Sequence, residues 1–189
     1  VRLSTSPRRE DPFTSESTLQ NFSFTGLTDG TYFLRGFRDV NADNSQDAAT
    51  EPSGTHGGIN SPLGIDIIGG NVIPGRTVTV CDRETLPVGS DKFGFLETTD
   101  CPAADKGPGY YTDLYTFRVG GGAAGSVGQG SIVDISMVSP DFYADLIVLG
   151  PNGQIVASDD TDGNPHVHFP TTQAGLYIVT FHGDDGLYG

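Results

Sequence analysis

An acidic loop near residue 40 has the residue types and the spacing of a calcium-binding loop. Its oxygen-bearing residues recur at alternate positions, and they are Asp39, Asn41, Asp43, Ser45 and Asp47. Side chains at alternate places of a tightly curled loop point inward, which suits a hard cation that takes about six to eight oxygen ligands. Glu51 follows close to the place where an EF-hand loop has its last ligand. The pattern predicts a calcium site, with a solvated acidic hairpin loop as the alternative.

A second group of acidic residues lies in a short polar stretch of the second half of the chain. Asp159, Asp160 and Asp162 stand close together between Ser158 and Asn164. Like charges at this spacing need a cation between them or a shared proton. We therefore expect calcium here as well, and the alternative is an ordinary polar turn.

Three histidines are the remaining candidates for metal chemistry. His166 and His168 lie two positions apart, so on a strand they share one face, and His182 is a candidate third ligand from an adjoining strand. Zinc needs such a face and a third ligand, and the alternative is surface or cross-strand pairing.

Neither a Gly-x-Ser-x-Gly nor a His-Glu-x-x-His motif occurs in the sequence. We expect no catalytic residues and a protein that is not an enzyme.

The charge of the chain excludes two classes of partner. With 24 acidic and 10 basic side chains, the formal net charge is −14. A nucleic-acid binder carries the opposite sign, and an anionic membrane surface repels such a chain. No apolar run approaches the roughly 20 residues of a membrane-spanning helix. We expect neither nucleic-acid binding nor membrane insertion.

The two cysteines, Cys81 and Cys101, enclose a loop of the right size for one disulfide bond. We favour a disulfide over two free thiols, and closing such a loop stabilises a fold by about 3 kcal/mol. Disulfides form outside the cytosol, so the pair predicts a secreted or cell-surface protein. The chain begins at Val1 rather than at a methionine, which we interpret as a processed or excised segment.

Composition and patterning predict an all-β fold. The chain has 27 glycines, 12 prolines and no tryptophan, a mixture that suits short strands joined by tight turns. In the first half we expect a hairpin formed by residues 21–24 and 31–37, then strands at 64–68 and 72–80 around a turn at 69–71. In the second half the predicted strands are 112–119, 131–138, 144–149, 155–158, 166–169 and 176–182.

Between these halves, prolines and glycines interrupt a stretch with little alternation. We interpret residues 83–108 as an interdomain linker that the disulfide pins. The prediction is therefore two tandem β-sandwich domains, at residues 1–82 and 109–189.

Two families share motifs with these halves. The first half contains LTDGTYFLRGFRDVNAD at residues 27–43 and EPSG at 51–54. These motifs resemble the prealbumin-like, carboxypeptidase-regulatory-like sandwich modules of secreted bacterial proteins. The second half carries YYTDLYTFRV at 110–119, SPDF at 139–142, GPNG at 150–153, SDD at 158–160 and AGLY at 174–177. It resembles bacterial pre-peptidase C-terminal domains, which are jelly-roll-like accessory domains of secreted proteases. This resemblance implies that Asp113 lies near the acids at 159–162 and shares their calcium.

Pairs of adjacent aromatic residues are the candidates for contact with a partner. On a strand, Tyr110 and Tyr111 must point to opposite faces, as must Phe142 and Tyr143. Core packing is the default for aromatic residues, but one ring of each pair must face outward. We therefore take Tyr110, Tyr111 and Tyr143 as candidates for partner binding.

Two functions fit these expectations. The first is a non-catalytic extracellular structural protein, a calcium-stabilised sandwich subunit of a filament or stalk that self-associates by strand exchange or joins neighbouring domains of a larger secreted protein. The alternative is an accessory region of a secreted hydrolase that binds extracellular protein or polysaccharide.

Overall fold

The computed structural model describes residues 1–5, 15–16, 22–43, 46, 51–58, 62–70, 75–86, 88–89, 91–96, 100–103, 106, 109–122, 126–139, 143–161 and 164–183. Every helix or strand assigned within them is a β-strand, so the predicted all-β class is confirmed. The strands in chain order are β1 (Arg2–Ser4), β2 (Ser15–Glu16), β3 (Gly30–Phe37), β4 (Ser53–Thr55), β5 (Gly64–Ile67), β6 (Glu84–Thr85), β7 (Cys101–Pro102), β8 (Tyr111–Val119), β9 (Ile132–Ser136), β10 (Ala144–Leu149), β11 (Ile155–Asp159), β12 (His166–Pro170) and β13 (Gly175–Gly183). The described part of the chain contains no helix long and apolar enough to cross a membrane.

The first sheet is built around β3. It has five strands in the order β2-β1-β3-β4, with β5 also paired to β3. The strand β3 alternates buried and half-buried side chains over most of its length, because one of its faces covers an apolar cluster. The buried members of that cluster are Leu3, Tyr32, Leu34, Ile65 and Ile67.

The second half forms a sandwich of two sheets. A six-stranded sheet has the order β11-β10-β13-β8-β6, with β7 also on β8, and a two-stranded sheet pairs β12 with β9. Side chains of both sheets meet in one core, in which Tyr177 stacks on Phe117 at a ring-centroid distance of 5.1 Å and on Phe169 at 6.3 Å. Leu146 and Val179 from neighbouring strands of the larger sheet are fully buried there. The six strands predicted in this half are confirmed, each to within about two residues at either end.

The predicted hairpin of residues 21–24 and 31–37 is wrong. Residues 22–24 are not a strand, and β3 pairs instead with β1, β4 and β5. Phe22 and Phe24 face each other with ring centroids 5.9 Å apart and pack on the first apolar cluster. Burial of these rings, rather than strand pairing, fixes this segment.

The predicted strand at 72–80 is also wrong where the structure describes it. Residues 75–80 have no strand assignment, although they run close to β4. A Cβ added to Gly54 would lie 1.7 Å from the Thr79 carbonyl oxygen, so the two backbones are too close for a side chain at this position. The glycine permits contact with this segment, yet only an isolated bridge between Ser53 and Cys81 forms.

The predicted disulfide is present, and it connects the two halves. Cys81 and Cys101 are bonded, with their Cα atoms 5.6 Å apart. Cys81 exchanges backbone hydrogen bonds with Ser53 of β4, at 2.9 and 3.2 Å, while Cys101 belongs to β7 and lies opposite Thr112 of β8. Residues predicted as a linker thus contribute β6 and β7 to the edge of β8. The division into two domains and a linker stays a prediction.

Candidate functional sites

The acidic loop that follows β3 is curled on itself. The backbone NH of Asp43 donates to Asn41 Oδ1 at 3.1 Å and to Asp39 Oδ1 at 3.3 Å. The Asn41 amide in turn donates to Asp43 Oδ2 at 3.1 Å. Ala42 takes a left-handed φ of 59°, which reverses the chain between them. The structure therefore brings together the three predicted ligands that it describes in this loop.

Glu51 is the fourth predicted ligand that the structure places at this loop. Its side chain is only 3% exposed, and Oε1 accepts a hydrogen bond from the backbone NH of Val40 at 2.9 Å. Nearby, the Arg38 NH donates to the Pro52 carbonyl at 2.9 Å, so the two ends of the loop are joined. A buried carboxylate that satisfies a backbone NH costs less than an isolated one. Ser45 and Asp47 lie outside the described residues.

No assembled metal centre is found in the part of the chain that the structure describes. There, no group of three or more His, Cys, Asp or Glu side chains is placed to hold a metal ion. In the loop, the oxygens of Asp39 and Asp43 take part in hydrogen bonds within the loop itself. Calcium at this loop therefore stays a prediction.

In the second acidic cluster, Asp159 organises the turn between β11 and β12. Its Oδ2 accepts from the His166 NH at 2.8 Å, and its Oδ1 accepts from the backbone NH and the hydroxyl of Thr161 at 3.0 and 2.5 Å. The His166 hydrogen bond first, and then those of Thr161, lower the pKa of the Asp159 carboxyl. Asp160 is exposed, and Asp162 lies outside the described residues. The described contacts are those of a polar turn.

Asp113 does not join this cluster, contrary to what the family resemblance implies. Asp113 on β8 lies opposite Phe181 on β13. On the next two strands, Leu146 of β10 lies opposite Phe181, and Asp159 of β11 lies opposite Leu146. Two strands separate the acids, which puts Asp113 about 14 Å from Asp159 at the usual strand spacing. Sharing one ion across that distance is excluded, since calcium–oxygen distances are about 2.4 Å.

Asp113 has a different set of charged neighbours at the edge of β8. Burial, and then the negative charge of Asp100, raise its pKa to about 6, with a smaller contribution from Glu84. The Tyr115 hydroxyl donates to Asp113 Oδ2 at 3.3 Å and opposes that rise. Lys92 forms an ion pair with Glu84.

His166, His168 and His182 do not come together as a zinc-binding face. His166 Nε2 and His168 Nδ1 contact the two carboxylate oxygens of Asp134 on the neighbouring strand, at 2.8 and 3.2 Å. His182 lies in a different sheet and is fully buried, opposite Asp145. Cross-strand pairing at the surface, the other reading of these histidines, is what the structure has.

Of the three predicted partner-binding tyrosines, only Tyr143 is well exposed, at 60%. Tyr110 and Tyr111 are half-buried. Sequence reasoning missed two aromatic residues that are far more accessible, Phe93 at 89% and Phe95 at 84%. A signal was available, because two phenylalanines flank a single glycine in a stretch without strand alternation.

No protein-family model matches this sequence, and comparison with curated proteins and with solved structures gave no significant match. Both family resemblances therefore remain predictions from the motifs alone.

Proposed function

We propose that this chain is a non-catalytic extracellular structural protein, a rigid β-sandwich subunit of a filament or stalk. The observation that carries the proposal is the position of the disulfide. Cys81 is hydrogen-bonded to Ser53 of the first sheet, and Cys101 belongs to a strand of the second sheet. A covalent bond that links two sheets limits their relative motion, which suits a load-bearing element, and disulfides persist outside the cytosol.

Contacts around the disulfide support the same function. Cys81 packs against a cluster formed by Leu114, Leu149 and Ile178, which is separate from the sandwich core. Residues of both sheets line a groove of about 250 Å³ beside it, among them Thr55 of β4 and Thr180 of β13. The two halves thus meet through side chains as well as through the covalent bond.

Calcium is part of the proposal, at the acidic loop. Support comes from the close placement of Asp39, Asn41 and Asp43 and from the buried Glu51 carboxylate beside them. A bound cation would offset the repulsion between these carboxylates and fix the loop that joins β3 to β4.

Assembly of subunits would use a strand edge. In the described residues β11 is the terminal strand of the six-stranded sheet, and its Ile155 and Val156 side chains are 56% and 41% exposed. An edge strand with exposed apolar side chains is suited to pairing with a strand of another chain. The partner in this proposal is a second copy of the chain or a neighbouring domain of a larger protein.

The alternative function is that of a binding region accessory to a secreted hydrolase. The exposure of Tyr143 favours it, because a protruding tyrosine can contact protein or polysaccharide.

Electron microscopy of the native material separates the two functions. Ordered filaments support the structural role, whereas monodisperse particles that bind collagen or a glycan support the accessory role.

The calcium part of the proposal is tested by calorimetry with and without a chelator. Calcium that binds only the folded chain adds about 2.7 kcal/mol at a concentration of about 100 times its dissociation constant. We expect the chelator to lower the melting temperature of the wild-type chain by several degrees and to have little effect on Asp43→Asn. Asp91→Asn, which removes a charge elsewhere on the surface, is the control and should respond as the wild type does. An unchanged melting temperature in chelator would contradict calcium binding.

A further inference from the structure

Phe93 and Phe95 form an exposed aromatic ridge on the segment between β6 and β7. They are 89% and 84% exposed, whereas the other phenylalanines in the described residues are buried or half-buried. Burial of a phenylalanine side chain stabilises a fold, and neither of these two side chains contributes in that way. Two large apolar side chains held in water in this way indicate a contact surface.

The backbone beneath the ridge is held against the protein. A Cβ added to Gly94 would lie 2.8 Å from the Tyr115 hydroxyl oxygen and 3.2 Å from Asp113 Oδ2, so the glycine is seated directly on β8. One position before Phe93, Lys92 is tied to Glu84 of β6 by an ion pair. Lys92 and Gly94 therefore lie close to β6 and β8, while the two phenylalanines are exposed to solvent.

The surroundings of the ridge are acidic. Asp91 lies two residues before Phe93 and is exposed, and Asp100 lies close enough to raise the pKa of Asp113, which lies next to Gly94. The one lysine of the segment, Lys92, is engaged with Glu84. The whole chain carries a net charge of −14. An apolar ridge with an acidic rim attracts partners that combine positive charge with apolar side chains.

We propose that the Phe93–Phe95 ridge docks a polypeptide segment in which lysine or arginine stands next to apolar side chains. A second copy of this chain is the weaker occupant, because two surfaces of the same negative sign repel. A neutral polysaccharide would stack on the rings but would gain nothing from the rim. In an extended peptide, alternate side chains fall about 7 Å apart on one side, so a peptide of alternating sequence presents its apolar side chains in one row.

Binding of defined synthetic peptides tests this proposal. The probe is a fluorescein-labelled peptide of alternating lysine and leucine, and the comparison peptides alternate glutamate with leucine or lysine with glycine. Fluorescence anisotropy should show binding of the lysine–leucine peptide alone, weakened by added salt. The double variant F93S/F95S should bind it at least about tenfold more weakly, as expected for the loss of apolar anchors.

A matched control keeps the result specific to the ridge. Val138 is 78% exposed and lies after β9, so Val138→Ser removes an exposed apolar side chain elsewhere on the surface. It should leave the affinity unchanged, and thermal unfolding should show both variants folded. Equal affinity of wild type and F93S/F95S would overturn the proposal, as would equal losses in F93S/F95S and V138S. Binding of cellohexaose but not of the lysine–leucine peptide would replace it with a carbohydrate site.

Discussion

The two halves of the molecule bury their apolar residues in different ways. In the second half, β8 and β13 pair over eight positions, and their side chains enter a core shared by two sheets. In the first half, β1 and β4 have three residues each and β5 has four, so the apolar cluster combines short strands with one eight-residue strand, β3. Long paired strands fix register through many neighbouring side chains, whereas short ones depend on the loops around them. The acidic loop and the disulfide belong to the region that needs such support.

Truncation of one core leucine in each half measures this difference. Leu146 is fully buried in the large core and Leu34 is 2% exposed in the small one. We expect Leu146→Ala to lower the free energy of unfolding by about 3–5 kcal/mol and Leu34→Ala by about 2–3 kcal/mol, because the smaller cluster relaxes more easily around a cavity. Urea denaturation followed by circular dichroism gives both values. A larger loss for Leu34→Ala would reverse our ranking of the two halves.

Removal of the disulfide should separate the halves. The variant C81S/C101S opens a loop with a sequence separation of 20, and we expect a loss of about 3 kcal/mol. Residue 81 would then be held to β4 by backbone hydrogen bonds alone. Proteolysis should therefore cut first within residues 75–100, while the second-half sandwich survives. Reduction of the wild-type chain should reproduce this pattern of cleavage. Identical proteolysis of variant and wild type would show that packing alone holds the halves together.

The buried carboxyl of Asp113 tests the electrostatics of the edge of β8. Its pKa is raised from 3.8 to about 6, so the folded protein holds this proton more tightly than the unfolded chain does. The contribution of this group to stability is therefore greatest below pH 3.8 and declines until the pH has passed about 6.

Asp113→Asn removes that titration and can still accept the Tyr115 hydrogen bond. We expect the variant to be more stable than wild type by about 1 kcal/mol at neutral pH, a value discounted for partial exposure, and no more stable at low pH. Thermal unfolding across the pH range measures this, and Asp91→Asn is the control for simple loss of a surface charge. A variant whose advantage does not change with pH would contradict the raised pKa.

Periodicity in the sequence predicted the second half well and the first half poorly, for a physical reason. Val167 and Phe169 of β12 alternate with exposed neighbours because one face of that strand covers the core, and that pattern is visible in the sequence. The spacing of Asp39, Asn41 and Asp43 was likewise enough to place them together. These features depend on residues that are close in sequence.

The features that the sequence did not predict depend on distant contacts. Asp113 and Asp159 are kept apart by the register of four strands, which no local pattern encodes. The hydrogen bond from Val40 to Glu51 and the seat of Gly94 on Tyr115 likewise arise only after the chain has folded. Phe93 and Phe95 lie in a stretch interpreted as a linker. The Phe-Gly-Phe sequence marks them as unusual there, but only the fold shows that both rings are exposed.

The smallest expected effect concerns the exposed pair of strands β9 and β12. His166 and His168 donate to the two oxygens of Asp134, and these hydrogen bonds are the main reason that the pKa of this carboxyl is lowered. A carboxyl with a lowered pKa stabilises the fold above its unfolded pKa, and the benefit is lost as the pH falls through the folded value. Since all three side chains are more than half exposed, solvent screening leaves little net stability, so the measurable quantity is the pKa itself. Titration of the Asp134 carboxyl by NMR should show a pKa below the ordinary value of an aspartate, and the variant H166Q/H168Q should raise it. Unchanged titration in that variant would mean that the histidines do not determine the protonation of Asp134, and that the alternation of the two strands alone places these three residues together.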